Sequence, residues 1–140
     1  MPEVTDWNQQ VIEEFRANGG RVGGNFAGAP LLLLHTRGAR TGKERVNPMM
    51  YLDLDGGRYV FASKAGADAN PDWYHNLVAN PDVTVEVGTE IYQARGVVVT
   101  GQSRDAIYAE QASRYPQFAE YAAKTKRVIP VMELRRKAGT

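Results

Sequence analysis

Val46-Asn-Pro-Met-Met-Tyr-Leu-Asp-Leu-Asp-Gly-Gly-Arg-Tyr-Val-Phe-Ala-Ser63 is the stretch that decides the fold class. It reads as two strands, Val46 to Leu54 and Arg58 to Ser63, joined by Asp55-Gly56-Gly57, residues that tolerate the positive φ of a tight hairpin. Strands joined this closely run antiparallel, whereas a Rossmann sheet needs a long crossover between parallel strands. Downstream, Gly88-Thr89 repeats the device between Val83 to Val87 and Glu90 to Thr100. Leu31 to Thr36 and Val128 to Leu134 read as further strands, the former within the apolar run Ala29 to Leu34.

Helices punctuate the strands. Asp6 to Asn18 places Trp7, Val11, Ile12 and Phe15 at helical spacing and ends on Asn18-Gly19-Gly20. A second helix has Asn70 as its cap, Pro71 in its first position, Trp73, Tyr74 and Leu77 on its apolar face and Asn80-Pro81 as its stop. Ser103 to Ser113 and Pro116 to Lys126 form a helical pair. Mostly antiparallel strands with a few helices define an α+β fold built on a small barrel.

With 140 residues the chain has room for one sizeable core, divided into an N-terminal amphipathic helix and linker (1–24) and a barrel domain (25–140). The net charge of +1 gives no overall attraction for nucleic acid or an anionic membrane, so any anion site must be local. There is no cysteine, which excludes disulfides and thiolate chemistry. The two histidines, His35 and His75, lack metal-ligand spacing and read as structural, so no metal site is expected. The start of the chain has neither the basic nor the apolar region of a secretory signal, and a cytoplasmic location is expected. The opening helix packs on the body in the first reading; peripheral contact with the inner face of the plasma membrane is the other.

The chemistry concentrates in two segments. Arg37-Gly38-Ala39-Arg40-Thr41-Gly42-Lys43-Glu44-Arg45 gathers four cations, two glycines and a threonine between apolar strands. Glycines let the backbone turn and present N–H groups, and arginine offers a planar fork matched to phosphate or carboxylate oxygens. This is an anion cradle, or else a solvated basic hairpin. It is not a Walker A loop, since only three residues separate Gly38 from Gly42 and Glu44 follows Lys43. In Phe61 to Tyr74 a strand runs through Ala62-Ser63-Lys64-Ala65-Gly66 into a helix start, an arrangement that leaves N–H donors and a dipole end for an anion.

The runs Arg40 to Pro48 (RTGKERVNP), Ala62 to Gly66 (ASKAG) and Asn70 to Pro81 (NPDWYHNLVANP) resemble the deazaflavin-dependent nitroreductase, or F420H2-dependent quinone reductase, family of actinobacteria. The likeness continues through Tyr115 to Tyr121 (YPQFAEY) and Ile129-Pro130-Val131. It implies a split β-barrel related to FMN-binding barrels, holding coenzyme F420 with its phosphate and polyglutamate tail in a basic groove. It also implies roles for individual residues. Arg37, Arg40, Lys43 and Arg45, with Gly38, Ala39, Thr41 and Gly42, would contact the tail and phosphate. Ala62, Ser63, Lys64 and Ala65 would line the cofactor, Trp73 and Asn76 would face it, and Asn47, Pro48, Met49 and Met50 would lie on the strand beneath the ring. Nitro-reducing members carry tyrosine where this chain has Met50 and Phe118. A methionine floor favours flat hydrophobic acceptors.

On that resemblance the reaction is a hydride transfer from F420H2 to a quinone, enone or nitroaromatic. Tyr115 or Tyr121 would supply a proton or steady a developing oxyanion, with solvent as the competing proton source. The alternatives are an FMN-dependent split-barrel reductase and a non-catalytic F420 carrier; single-stranded nucleic acid is a third, disfavoured by the near-neutral charge. The expected partner is a small hydrophobic acceptor, and a monomer is expected, with a homodimer as the other state.

Overall fold

A computed structural model of the chain describes residues 6–20, 30–39, 41–67 and 69–137, without the side chains of Asp6, Trp7, Asn8 and Ala65. Arg40 and the boundary between residues 24 and 25 therefore lie outside the described residues. The elements in order are α1 (Asp6–Ala17), β1 (Leu31–Arg37), β2 (Glu44–Leu54), β3 (Gly57–Phe61), a single 3-10 turn (Lys64–Gly66), α2 (Asp72–Ala79), β4 (Asp82–Val87), β5 (Glu90–Val99), α3 (Gly101–Arg114), α4 (Gln117–Lys124) and β6 (Val131–Arg136). The strands close into a barrel in the order β1-β2-β3-β6-β5-β4, every pairing antiparallel. The α+β barrel read from the hairpins is thus the fold observed.

The hairpin signals work as read. Asp55 and Gly56 take φ of 52° and 86°, the paired positive values of the turn that matches strand twist. The registers Leu54↔Gly57 and Val87↔Glu90 put both tight hairpins at one end of the barrel. The long connections, 62–71 into α2 and 100–130 through α3 and α4, lie at the other end with the β1–β2 loop.

The leucine run of β1 is buried on both sides, which explains its unbroken apolarity. Leu32 and Leu34 point into the barrel with Val60, Val85 and Met132, while Leu31 and Leu33 point outward beneath Val11, Ile12 and Phe15 of α1. Each such side chain removed from water contributes about 1.5–3 kcal/mol. The same burial covers Val11, Ile12 and Phe15, the described part of the apolar face that membrane contact through α1 would need. No described helix is long and apolar enough to cross a membrane. α2 plugs the barrel mouth with Trp73 and Leu77, and Leu77 fits because Gly96 has no side chain.

Polar contacts fasten α1. Arg16 donates to both carboxylate oxygens of Glu86, through Nε at 3.2 Å and Nη2 at 2.7 Å, and His35 Nε2 sits 2.5 Å from Glu86 Oε2. His35 Nδ1 lies 3.4 Å from Glu44, so both ring nitrogens are held by carboxylates and the structural reading of His35 fits. The Arg16 hydrogen bonds, aided by His35, outweigh desolvation and hold the Glu86 carboxyl below its ordinary pKa.

One local expectation changes. Asn70 does not cap α2: Pro71 takes the N-cap position with no side-chain cap, because the Asn70 Oδ1 accepts instead from Arg127 Nη1 at 2.7 Å.

Two outcomes follow from this packing. Gly96→Ala would set a Cβ 2.6 Å from Leu77 Cδ1 inside a filled barrel, and urea unfolding should show a loss of about 1–3 kcal/mol. Because the Glu86 pKa is lowered on folding, its contribution is complete above about pH 4.3 and is lost as pH falls through the lower native value. Glu86→Gln should therefore flatten that acid limb of a stability–pH curve, and an unchanged limb would contradict the assignment.

Candidate active site

The two ends of the barrel differ in how their charges are matched. At the hairpin end Arg58 is bidentate with Asp53, at 2.7 and 2.9 Å, and donates to the Tyr92 hydroxyl at 3.1 Å. Arg135 and Arg136 pair with Glu133 and Glu90, so each arginine there has its own carboxylate. At the opposite end Arg37, Lys43 and Lys64 make no ion pair among the described residues. Local positive charge is therefore left over where the long connections meet.

A cleft of about 650 Å³ opens at that end, lined by Gly38, Ala39, Thr41, Arg45, Asp72, His75 and Asn76. It joins the two segments singled out in the sequence. Asn76, on the buried side of α2, accepts the Ala39 N–H through Oδ1 at 3.0 Å, and Asn80 Nδ2 reaches the Arg37 carbonyl at 3.4 Å. Asp72 sits on the α2 side, so an anion is favoured on the loop side.

The β1–β2 loop differs from expectation in one respect. Gly38 N–H bonds Lys43 O at 2.8 Å, Gly42 N–H bonds Gly38 O at 2.9 Å, and Lys43 N–H bonds Thr41 Oγ1 at 3.2 Å. With Ala39 N–H taken by Asn76, these amides serve the loop's own closure and its docking to α2. Gly42 is needed for its φ of 71°, and Gly38 because a Cβ there would meet Thr41 Oγ1 at 2.8 Å. The loop thus offers side chains more than backbone donors.

Backbone donors occur instead after β3. Ser63 is right-handed, at φ −75° and ψ −37°, and Lys64 is left-handed, at φ 46°. That succession makes neighbouring N–H groups converge in an anion-binding nest. Ala62 is wholly buried, Lys64 is exposed, and Gly66 packs so closely on α4 that a Cβ would lie 2.9 Å from the Tyr121 carbonyl.

Strand alternation divides the β2 candidates. Asn47 and Met49 pair with Leu34 and Leu32 on the inner face, whereas Pro48 and Met50 pair with Leu33 and Leu31 on the outer face. Met49 and Met50 thus cannot floor the same ligand. Met50 bridges the α1 cluster and the cluster beneath α3 and α4, with Gln117 Nε2 3.9 Å from its sulfur.

Trp73 is buried among the barrel residues. Tyr115 and Tyr121 are half-buried against Phe118, whose ring meets Tyr121 edge-on at 5.2 Å. Neither hydroxyl has a hydrogen-bond partner among the described residues. Tyr108, by contrast, donates to Phe118 O at 2.6 Å, and burial raises its pKa, so it locks α3 to α4. His75 is exposed in the cleft, edge-on to Tyr74. Sequence reading passed over Arg127, whose guanidinium grips the loop after β3; an arginine between Lys126 and Val128 carries no local signal of that role.

A closed antiparallel barrel with a helix-plugged mouth defines a split-barrel protein of the kind seen in F420-H2 dependent reductases. Within that class the sequence profile of the F420H(2)-dependent quinone reductases matches residues 7–135, and the chain belongs to that family. It is 40% identical over 133 residues to an F420H(2)-dependent quinone reductase of Mycobacterium tuberculosis (strain ATCC 25618 / H37Rv), covering 88% of this chain and 85% of the relative. The solved structure of the F420-H2 dependent reductase FDR-A superposes with a TM-score of 0.69 at 36% identity, over 76% of this chain and 94% of that one. A structure described as a domain-swapped dimer superposes with a TM-score of 0.71 at 33% identity, over 93% and 98%.

The Asn76 bridge can be tested directly. Asn76→Ala leaves the Ala39 N–H without its acceptor and should cost about 1–3 kcal/mol while speeding hydrogen exchange at Ala39. Asn76→Asp, which keeps an acceptor oxygen, should preserve the slow exchange.

Proposed function

We infer that the chain is an F420H2-dependent oxidoreductase that passes a hydride to a flat hydrophobic acceptor, a quinone before an enone or a nitroaromatic. The observation that carries this is the cleft between the β1–β2 loop and α2, lined by Arg45, at the barrel end where Arg37, Lys43 and Lys64 make no ion pair among the described residues and where the Ser63–Lys64 backbone forms a nest. The residues present fit the coenzyme: a polyanionic tail needs several cations, and Arg37, Lys43, Arg45 and Lys64 are more than one phosphate requires, which favours F420 over FMN. The activity for which the family is named and the M. tuberculosis relative support the same cofactor and a quinone acceptor.

When bound, reduced deazaflavin supplies the hydride from its C5. The chain's own part is to bind, orient and exclude water. Arg45 and the loop cations, Arg40 included, hold the acidic tail; Thr41 and Asn76 line the same cleft. The Ser63 and Lys64 amides face electron-rich oxygens, with Trp73 and one of Met49 and Met50 setting the apolar surroundings. Alignment of donor and acceptor can lower the barrier by about 7 kcal/mol or more. Tyr115 and Tyr121, whose hydroxyls have no described partner, supply a proton or hydrogen bond to the reduced acceptor. Met50 and Phe118 leave this region less polar than two tyrosines would, which favours quinones over nitroimidazoles. The relative described as a domain-swapped dimer supports a homodimer over the monomer expected from the sequence.

Separate titrations with F420 and FMN, followed by oxidation of F420H2 with menadione, test the reading. Tight F420 binding with turnover supports it, binding without turnover favours the carrier, and FMN binding alone overturns the cofactor. Arg45→Ala removes a charge-assisted contact of about 1.5–3 kcal/mol and should weaken F420 binding roughly tenfold to a hundredfold. Replacing both Tyr115 and Tyr121 by Phe should lower kcat about a hundredfold if they supply the proton; solvent delivery would leave it unchanged.

A further inference from the structure

Arg127 lies in the stretch between α4 and β6, outside the segments assigned so far to cofactor or acceptor. Its guanidinium is part-buried and makes four hydrogen bonds to one short loop. Nε donates to Ala67 O at 2.7 Å, Nη1 to Ala62 O at 3.1 Å and to Asn70 Oδ1 at 2.7 Å, and Nη2 to Ser63 O at 2.8 Å. Arg127 has no carboxylate partner among the described residues, so its charge is met by carbonyl dipoles instead. Only the rigid planar fork of arginine can span acceptors set this far apart along a chain; the point charge of lysine cannot.

The fork has a consequence for the other side of the loop. In a planar trans peptide the carbonyl and the following N–H point in opposite directions. With the Ala62 and Ser63 carbonyls turned toward Arg127, the N–H groups of Ser63 and Lys64 are turned away from it. Those are amides of the nest formed by right-handed Ser63 and left-handed Lys64, and neither has a hydrogen-bond partner among the described residues. A positive φ at a lysine persists only where surrounding contacts impose it, and the Arg127 fork is such a contact. The same loop rests on α4 at Gly66, against the Tyr121 carbonyl and Lys124.

We propose that Arg127 is a positioning residue for hydride transfer: it holds the 62–70 loop so that the Ser63 and Lys64 amides face the bound deazaflavin coenzyme in register with α4 and Tyr121. This rests on the F420 reading above. Arg127 touches neither coenzyme nor acceptor and acts through the loop alone.

The test uses the full chain, with F420 fluorescence titration, amide NMR and thermal unfolding on the parent and on Arg127→Lys. In the parent, the Ser63 and Lys64 amide resonances should shift when F420 is added. In Arg127→Lys, at temperatures where it is folded, F420 affinity should fall about tenfold or more and those two shifts should be lost, with KM for menadione unchanged within about twofold. A purely structural staple would lower the melting temperature and leave the F420 affinity of the folded protein intact, and that result would overturn the proposal. Should Arg127→Lys fail to fold, Asn70→Ala removes one acceptor and keeps the arginine; it should weaken F420 binding about threefold, and unchanged binding would again overturn the proposal. A parent protein that does not bind F420 fails the cofactor reading itself, a result distinct from a binding parent with an equally binding variant.

Discussion

Closure of the barrel by β1 against β4 is the constraint on which the rest depends. Leu33 to His35 pair with Thr84 to Glu86, and this short ladder removes the last free sheet edge. Once closed, the barrel has only two ends, and connections can leave only from them. The tight hairpins use one end, so the β1–β2 loop, the 62–71 loop, α2 and the α3–α4 pair are all forced to the other. Segments far apart in sequence become neighbours by this topological crowding, before any specific contact is made.

Specific contacts then set the crowded end in place. Asn76 and Asn80 tie the cation-rich loop to α2, Tyr108 ties α3 to α4, and Arg127 ties the connection after α4 to the loop after β3. Most of these bonds pair a side chain with a backbone carbonyl or amide, so each both stabilises the chain and fixes a direction. Arg37, Lys43 and Lys64 make no ion pair among the described residues. At the hairpin end the reverse holds, and arginines are matched one to one by carboxylates. That asymmetry marks which mouth can receive a polyanion, and it is consistent with a chain whose net charge is only +1.

The outer surface of β1 shows a comparable division of labour. Apolar residues of α1 cover Leu31 and Leu33, and where the leucines give way to His35 the contact becomes a cluster of Arg16, Glu86, His35 and Glu44. A buried carboxylate is tolerated there because Arg16 and His35 meet it with hydrogen bonds.

Strand direction, the positions of the tight turns, the amphipathic helices and the accumulation of cations between Arg37 and Arg45 were all determined by the sequence. Each depends on local rules: the φ a residue tolerates, the period of its apolar neighbours, the charge of its side chain. The likeness of three spaced motifs carried the family as well. Only the tertiary structure decided which face of β2 Met49 and Met50 occupy, that the amides of the glycine loop are used internally, and that Asn70 serves Arg127 instead of capping α2. It alone brought Arg127 to the loop near Ser63, 64 residues away in sequence. A hydrogen-bonding group chooses its partner from what is within about 3 Å, and that neighbourhood exists only after the barrel has closed.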